Sequence, residues 1–160
     1  MKILVTGGSG FIGSHFIRQH VKDYPHDQIV NLDALTYAGR KENLSDVEGN
    51  PNYTFFHGDI RDADTVKMAM DGCEQVVHFA AETQVDKAIV DPSLFLQTNV
   101  MGTHTLLEQA RKNDVKKFVN ISTDEVYGHI LEGSFTEKDL LNPRNPYAAS
   151  KAGAERLAYA

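Results

Sequence analysis

Glycines that follow directly on a short apolar run near the amino end constrain the fold of this chain most. The run covers residues 3–5, and residues 7–13 then read Gly-Gly-Ser-Gly-Phe-Ile-Gly. This stretch satisfies both the G-x-G-x-x-G and the G-x-x-G-x-x-G spacing. Glycine permits a tight turn between strand and helix and lets the backbone approach a pyrophosphate, whose charge is favoured at a helix amino end. The pattern therefore predicts a phosphate-binding turn between the first strand and the first helix.

An acidic residue ends the second apolar run, where a nucleotide-binding fold needs one. Asp33 follows residues 29–32 and stands 20 residues beyond Gly13. A carboxylate at this position accepts hydrogen bonds from both ribose hydroxyls and repels a 2′-phosphate, which favours NAD over NADP. The alternative is an ordinary strand-to-helix turn in which Asp33 caps the next element. The joint occurrence of strand, glycines, helix and acid favours the nucleotide-binding interpretation.

Short apolar runs alternate with longer mixed segments along the whole chain. Five β-branched or aromatic runs are typical of buried strands, namely residues 3–5, 29–32, 53–56, 76–79 and 118–121. Helical patterns cover 11–23, with Ile12, Phe16, Ile17 and His20 near one stripe, and also 63–70, 92–112 and a last helix that opens at Asn145-Pro146. This alternation predicts an α/β fold with a doubly wound parallel sheet and helices on both faces. Residues 128–145 are predicted to form one long irregular loop.

The composition excludes several classes of function. The 160 residues fit one domain, and 16 Lys and Arg against 22 Asp and Glu give a net charge of -6, which argues against nucleic acid as a partner. No apolar run approaches the ~18 residues of a membrane helix, and the first five residues do not continue as a signal peptide. The single Cys73 cannot form an internal disulfide, and no histidine spacing suggests a metal site. We expect a cytoplasmic protein with no membrane partner and no metal.

Tyr147 and Lys151 are candidates for proton transfer. They lie at positions i and i+4 of the predicted last helix, so they share a face. A nearby ammonium and a cationic nicotinamide favour the phenolate, which is a base able to deprotonate an alcohol during hydride transfer. Taken alone, the pair occurs often by chance, and an ordinary helical tyrosine with a solvated lysine is then the favoured interpretation. The polar block from Ser122 to Gly128 follows the fifth apolar run, at the end of the sheet where ligands bind.

Together these segments resemble the extended short-chain dehydrogenase/reductase family, and within it the dTDP-glucose 4,6-dehydratases. The resemblance covers essentially the whole chain through Thr6–Gly13, Asp33–Gly39, Asp59-Ile60, His78–Glu82, Asn99, Ser122–Gly128 and Pro146–Lys151. The adjacent acids Asp124 and Glu125 are its most specific feature. It implies five strands in the order 3-2-1-4-5 within an NAD-binding Rossmann-like domain over residues 1–160. Family members continue further and add a sugar-binding part, so the resemblance also implies that this chain alone is inactive or nearly so.

The resemblance implies a dehydration without net oxidation of the sugar nucleotide. Tyr147 takes the proton of the 4-hydroxyl while a hydride passes from C4 to NAD, with Thr123 bound to that hydroxyl and Lys151 holding Tyr147 and the nicotinamide ribose. Glu125 then removes the C5 proton, Asp124 protonates the departing C6 hydroxyl, and the hydride returns to C6. Elimination of water needs an acid and a base together, and adjacent carboxyls can differ in pKa. An epimerase needs no such pair.

The same resemblance implies the contacts of the cofactor and the substrate. The cofactor contacts are Gly7, Gly10, Phe11, Ile12, Gly13, Asp33, Ala34, Leu35, Thr36, Asp59, Ile60, Phe79, Ala80, Ala81, Glu82, Thr83, Thr98, Tyr147 and Lys151, and the substrate contacts are Thr83 and Thr123. Core packing is the alternative for the apolar members. The chain departs from the family pattern at Thr83-Gln84, where Ser-His is common, and at Lys87, where Arg is common and offers a bidentate fork that Lys lacks.

Three interpretations of function follow. The first is the NAD-dependent dehydration of a nucleotide sugar, dTDP-glucose to dTDP-4-keto-6-deoxyglucose, by a protein that the resemblance makes a homodimer at full length. The second is another nucleotide-sugar enzyme of the family, such as a UDP-sugar dehydratase, 4-epimerase or decarboxylase. The third is an NAD-binding module without catalytic activity.

Overall fold

A computed structural model describes residues 1–160 and contains one five-stranded parallel sheet. The strands are β1 (Lys2–Thr6), β2 (Gln28–Asp33), β3 (Tyr53–His57), β4 (Gln75–His78) and β5 (Lys117–Asn120). Their spatial order is β3-β2-β1-β4-β5, and each neighbouring pair is parallel. The predicted order is confirmed. A sheet that grows outward from β1 in both directions has its strand-order reversal at β1, which is where such folds bind nucleotides.

The register of the strands aligns their carboxyl ends at one edge. Thr6 pairs with Leu32 on one side and with His78 on the other, and His78 pairs in turn with Asn120. Asp33 lies one residue beyond Leu32 and pairs with His57. The glycine turn after β1 and the carboxylate at the end of β2 therefore leave the sheet at the same edge.

Helices connect the strands and continue beyond the last one. They are α1 (Phe11–Asp23), α2 (Ala63–Met70), α3 (Val85–Val90), α4 (Ser93–Phe95), α5 (Thr103–Lys112) and α6 (Pro146–Tyr159), with 3-10 turns at Lys41–Leu44 and Asp124–Tyr127 and a π-helical stretch at Leu96–Gly102. The predicted helices over 11–23 and 63–70 are confirmed, as is the start of α6 after the N-cap residue Asn145. No helix is both long enough and apolar enough to cross a bilayer.

The segment 92–112 differs from the single helix that its pattern predicts. Pro92 occupies the N-cap position instead of the first helical position, and Asp91 Oδ1 accepts the Ser93 N–H at 2.9 Å. After the three residues of α4, the backbone becomes π-helical until Gly102, and α5 then continues as an α-helix. Such π-helical stretches occur frequently at functional sites.

The sheet is covered on both faces by apolar side chains. On one face Leu32 packs with Val66 of α2 and Leu106 of α5. On the other face Val5 packs with Ile17 of α1, and burial of each such side chain stabilises the fold by about 1.5–3 kcal/mol. The predicted helices on both faces are therefore confirmed. The predicted α1 stripe is wrong at Ile12, which is 61% exposed because it lies in the first turn and not over the sheet.

The chain divides into two compact units. The first comprises Met1–Ala80 and Thr105–Ile121 and holds the whole sheet, and the second comprises Ala81–His104 and Ser122–Ala160. The glycine turn and Asp33 belong to the first unit. The predicted catalytic residues from Thr123 to Lys151 belong to the second unit. The single NAD-binding domain over residues 1–160 stays a prediction.

Candidate active site

The glycine turn after β1 is closely packed against two other backbone segments. Gly7 has a φ of +69°, which L side chains rarely adopt, and its N–H donates to the Leu32 carbonyl at 2.9 Å. A Cβ at Gly7 would lie 2.6 Å from the Ala80 nitrogen, and a Cβ at Gly13 would meet the Gly8 Cα at 2.8 Å. Only glycine fits at these positions, so the start of α1 lies directly on the turn.

The amino end of α1 has the properties of a phosphate site. Its N-cap residue is Gly10, no side chain caps the helix, and its first turn carries no acidic residue. The first N–H groups of a helix have no partner within the helix, and the helix dipole is positive there. The first two side chains, Phe11 and Ile12, are 78% and 61% exposed. The backbone N–H groups of this first turn have no carboxylate competing for them. They fit the pyrophosphate of a dinucleotide.

Asp33 is fixed in place by backbone donors on both sides. The side chain is 7% exposed, Oδ2 accepts the Ser9 N–H at 2.9 Å, and Oδ1 accepts the Leu35 N–H at 2.8 Å. Leu35 has a φ of +50°, a strained conformation that clusters at functional sites. A Cβ at Gly39 would lie 2.6 Å from Asp33 Oδ1, so the following loop passes close to the carboxylate. Each carboxylate oxygen keeps a further lone pair for a ribose hydroxyl.

A buried amide supports the turn from the centre of the sheet. Asn31 is fully buried within β2, and its Nδ2 donates to Ser9 Oγ at 3.1 Å and to the Tyr53 hydroxyl at 2.9 Å. The Ser9 carbonyl in turn accepts the Arg40 N–H at 3.0 Å and Asn43 Nδ2 at 2.8 Å. Sequence reasoning missed this network. Its signal was a single polar residue inside the apolar run of β2.

Other predicted cofactor residues of the first unit have partners within it. Arg61 donates from Nε to Asp59 Oδ1 at 3.0 Å and from Nη2 to Oδ2 at 2.6 Å, and this pairing holds the pKa of Asp59 below its ordinary value. Ile60 is 5% exposed and packs in the core. The Phe79 ring lies against Phe16 with 5.4 Å between centroids. The side chains of Ile60 and Phe79 therefore pack in the core, which was the alternative to a cofactor contact. Of the other predicted cofactor residues, Ala34 and Ala80 are half-buried and Thr36 is exposed.

In the second unit, Asp124 and Glu125 open the 3-10 turn Asp124–Tyr127. Thr123 is its N-cap, and the Thr123 Oγ1 accepts the Glu125 N–H over a long 3.4 Å and donates to Asp124 Oδ1 at 3.3 Å. Asp124 is exposed, whereas Glu125 is half-buried. The two neighbouring acids therefore differ in exposure and in their hydrogen-bond partners.

Asn145 connects this turn to helix α6. Its Nδ2 donates to Glu125 Oε2 at 2.6 Å, and its Oδ1 accepts the Ala148 N–H at 2.7 Å. The second bond is an N-cap, which satisfies one of the free donors at the start of a helix. The cap was expected from the sequence, but the bond to Glu125 was not.

Helix α6 buries both Tyr147 and Lys151. They are 8% and 5% exposed, and Tyr147 packs with Ala88 and Phe95. Burial lowers the pKa of Lys151 to about 8, while the charge of Glu155 raises it. A lysine with this pKa is mostly protonated at neutral pH, so it is able to favour a phenolate. The interpretation of Lys151 as a solvated surface residue is wrong.

Asn99 of the π-helical stretch joins three segments of the second unit. Its Oδ1 accepts the Glu82 N–H at 2.8 Å, and its Nδ2 donates to the Glu82 carbonyl and to Ser150 Oγ, both at 2.9 Å. Ser150 Oγ donates to the Tyr147 carbonyl at 2.7 Å. The segment that carries Glu82 and Thr83 is therefore fixed to the helix of Tyr147. Sequence reasoning missed Ser150.

The remaining predicted residues of the second unit vary in exposure. Ala81 and Thr98 are half-buried, and Thr83 and Lys87 are exposed. No group of three or more His, Cys, Asp and Glu side chains could hold a metal ion. Cys73 is buried, and burial raises the pKa of its thiol to about 11, which makes it a structural residue and not a nucleophile.

The sheet order, the glycine turn and the position of Asp33 define a Rossmann-like α/β protein with a site for a dinucleotide. A family model described as GDP-mannose 4,6 dehydratase matches residues 4–160. The chain belongs to this family.

Two curated relatives are about 50% identical to this chain over the region that aligns. The low-salt glycan biosynthesis protein Agl12 of Haloferax volcanii is 52% identical over 157 residues, which cover 98% of this chain and 50% of that protein. The dTDP-glucose 4,6-dehydratase of Streptomyces griseus is 51% identical over 160 residues, which cover 99% of this chain and 48% of that protein. This chain therefore spans about half the length of the relatives that it matches.

Solved structures of nucleotide-sugar enzymes have the same fold as this chain and also extend to about twice its length. The dTDP-glucose 4,6-dehydratase DesIV of Streptomyces venezuelae, with NAD and TYD bound, superposes with a TM-score of 0.95 at 51% identity, covering 99% of this chain and 50% of that one. The UDP-glucose 4-epimerase of Thermus thermophilus in complex with NAD superposes with a TM-score of 0.88 at 35% identity, covering 99% of this chain and 50% of that one. Both solved proteins hold NAD on a fold like this one.

Proposed function

We propose that this chain is the cofactor-binding and catalytic part of an NAD-dependent nucleotide-sugar dehydratase that converts dTDP-glucose to dTDP-4-keto-6-deoxyglucose. One observation carries the proposal. The adjacent acids Asp124 and Glu125 share a turn, and Glu125 is bound to the N-cap of the helix that carries Tyr147 and Lys151. The similarity to dTDP-glucose 4,6-dehydratases at 51% identity supports it.

The first unit would hold NAD, which when bound accepts a hydride reversibly. The turn from Gly7 to Gly13 and the amino end of α1 would bind the pyrophosphate, and Asp33 would accept the ribose hydroxyls. A 2′-phosphate is disfavoured beside this carboxylate. We assign the further contacts of Ala34, Leu35, Thr36, Asp59, Ile60 and Phe79–Thr83 to the same cofactor, with Thr98 from the π-helical stretch.

Tyr147 is the base of the first step. As a phenolate it takes the proton of the sugar 4-hydroxyl, while Thr123 donates a hydrogen bond to the same oxygen. The ammonium of Lys151 favours the phenolate by its charge, and burial of both residues strengthens this electrostatic effect. Loss of the proton makes C4 a ketone when the hydride leaves.

Glu125 and Asp124 then divide the elimination between them. The ketone at C4 acidifies the C5 proton, and Glu125 takes it. Asp124, in its protonated form, gives its proton to the departing C6 hydroxyl, which leaves as water. Each acid–base group of this kind contributes ~10²–10⁴ in rate. Glu125 would return its proton to C5 as a hydride is added at C6. The proton that Tyr147 took from the 4-hydroxyl would then replace the one that Asp124 gave to the leaving water, which resets both side chains.

The experiment is product analysis with the full-length protein. Incubation with NAD and dTDP-glucose is expected to give the 4-keto-6-deoxy product, and Asp124→Asn and Glu125→Gln are each expected to lower its rate of formation at least ~100-fold. Glu132→Gln, an exposed acid of the following loop, serves as the control. Wild-type rates in both active-site variants contradict the proposal. Conversion of UDP-glucose to its 4-epimer without dehydration supports the epimerase alternative instead.

The 160-residue chain alone is expected to turn over little dTDP-glucose, because binding energy from the nucleotide helps to drive such chemistry. Measurable turnover by the chain alone contradicts this expectation. A homodimer at full length is supported by exposed apolar side chains on α3 and the segment after it, with Val90 87% and Leu96 49% exposed. Sedimentation of wild type and Val90→Glu tests the dimer. Cytoplasmic location and the lack of a nucleic-acid partner stay predictions.

A further inference from the structure

Glu155 is a half-buried carboxylate of α6 that the proposed reaction does not use. Its Oε2 accepts a hydrogen bond from Ser122 Oγ at 2.6 Å, and its Oε1 accepts one from Arg156 at 3.2 Å. The side chain is 24% exposed. The short distance to Ser122 is typical of a hydroxyl that donates to an ionised carboxylate. The side chain of Glu155 is therefore held in a fixed orientation.

Helix geometry places Glu155 beside Lys151. The two residues are four positions apart, so their side chains share one face of α6. Lys151 is 5% exposed, and burial disfavours its ammonium form. The negative charge of Glu155 acts in the opposite direction and raises the pKa of the lysine. Two opposing effects thus set the protonation of this residue.

The elements packed against α6 also carry charged and titratable groups. Helix α3 and the 3-10 turn contribute Asp86, Lys87, Asp124, Glu125 and Tyr127, whereas α4 and the π-helical stretch contribute none. Of these acids, Asp86 and Asp124 are exposed, where water screens their charge. Glu125 is bound to Asn145 at the start of the helix. Glu155 differs from them because it lies one helical turn from Lys151.

We propose that Glu155, held by Ser122, is a positioning residue that keeps Lys151 protonated while the active site works. The catalytic consequence rests on the proposed function, since a neutral lysine would no longer favour the phenolate of Tyr147. The structural part of the proposal does not depend on the reaction. Loss of the carboxylate leaves burial unopposed, so Lys151 releases its proton at a lower pH.

The test follows the titration of Lys151 directly in the full-length protein. Lysine labelled with ¹³C at Cε and ¹⁵N at Nζ is observed by NMR across the pH range, and Lys151→Met identifies the signal. In Glu155→Gln the midpoint of Lys151 is expected to fall by about one pH unit. Glu137→Gln, an exposed acid of the 128–145 loop, is expected to leave it unchanged. An unchanged midpoint in Glu155→Gln overturns the proposal.

A second variant keeps the test valid if Glu155→Gln does not fold. Ser122→Ala retains the carboxylate but removes its donor, so Glu155 turns toward water and the Lys151 midpoint falls by a smaller amount. An unchanged midpoint in folded Ser122→Ala also overturns the proposal. Glu155→Asp, which keeps the charge on a shorter side chain, is expected to restore part of the shift.

Activity gives a separate measurement on the same proteins. The alkaline limb of the pH profile of kcat/KM for dTDP-glucose should move to lower pH in Glu155→Gln and return in part in Glu155→Asp. A fall in the NMR midpoint without any 4-keto-6-deoxy product from the wild type upholds the role of Glu155 and contradicts the proposed function. Product formation with an unchanged midpoint upholds the proposed function and overturns the role of Glu155.

Discussion

Asn145 donates a hydrogen bond to Glu125 at 2.6 Å while its own carbonyl oxygen caps helix α6 at the Ala148 N–H. One amide thus fixes the start of the helix and the orientation of the half-buried acid. Because the two bonds use opposite ends of the amide group, only asparagine or glutamine offers both, and glutamine is a poor N-cap. The position of Glu125 is therefore tied to the helix of Tyr147.

Substitution of Asn145 should separate its two roles. Asn145→Asp keeps an acceptor for the cap and replaces the donor by a second carboxylate beside Glu125. The cap should be retained, but the like charges should lower the stability to urea at neutral pH. The acidic limb of the pH profile should move to higher pH, because like charges disfavour ionisation. Asn145→Ala loses the cap as well, which costs about 1 kcal/mol. An acidic limb that does not move in Asn145→Asp contradicts a role of this bond in catalysis.

The close approach at Gly7 can be tested against a glycine with the same backbone conformation. Gly7 and Gly72 have φ values of +69° and +68°, so alanine at either position costs about 1–2 kcal/mol from the backbone. A Cβ at Gly72 would find its nearest neighbour 3.9 Å away in the Lys2 side chain, whereas a Cβ at Gly7 would meet Ala80 at 2.6 Å. Gly7→Ala should therefore lose clearly more stability in urea denaturation and bind NAD more weakly by calorimetry. Equal losses in both variants contradict the steric interpretation.

Asp33→Asn should weaken the binding of NAD by about 10- to 100-fold, because hydrogen bonds to a charged acceptor are each worth about 1.5–3 kcal/mol. The amide also brings a donor against one of the two backbone N–H groups that now donate to the carboxylate. Calorimetric titration with NAD measures the effect. Asp46→Asn is the matched control, since Asp46 is 55% exposed and pairs with Arg18 outside the site. Wild-type affinity in Asp33→Asn argues against ribose recognition by this residue.

Lys151 should make stability depend on pH in an alkaline window. Burial lowers its pKa to about 8 from the usual 10.5, so between these values the unfolded chain binds more protons than the folded one. The unfolding free energy contributed by Lys151 therefore rises from about pH 8 to about pH 10.5. Below that window the cost of the buried ammonium is fully present.

The matching variant is Lys151→Met, which removes the charge and keeps an unbranched side chain that is one atom shorter. It should raise the unfolding free energy at pH 7 by up to about 3 kcal/mol while abolishing activity, and the difference from wild type should shrink toward about pH 10. Lys67→Met, at an exposed position of α2, should show no such pH-dependent difference. A difference between wild type and Lys151→Met that is constant with pH contradicts the burial argument.

The sequence predicted the sheet well because strands in a doubly wound fold are short, apolar and separated by helices of ordinary length. The glycine turn and the N-cap at Asn145 were predictable because both depend on local backbone geometry. The π-helical stretch around Asn99 was not, since an i to i+5 hydrogen-bond pattern has no residue preference that distinguishes it from an α-helix. Helix α3 was missed because six residues are too few to display a period.

The parts of the candidate site that sequence reasoning missed are all hydrogen bonds between distant segments. Ser122 and Glu155 are 33 positions apart, and Asn99 and Ser150 are 51 apart. Each of these residues is ordinary in its own segment, as a turn serine, a helical glutamate or a helical serine. Only the packing of α6 against its neighbours reveals which of them meet.

Asn31 combines a cost to the stability of the sheet with a role in supporting the glycine turn. Its Oδ1 is buried without a partner, and such an unpaired group costs about 1–3 kcal/mol. A leucine of similar size would remove that cost, but it would also remove the donor to the buried Ser9 hydroxyl and to the Tyr53 hydroxyl. The two lost hydrogen bonds offset the gain, so the exchange should not raise the melting temperature. The same amide therefore links the thermal stability of the sheet to the geometry of the glycine turn, and variants selected for heat resistance should retain it.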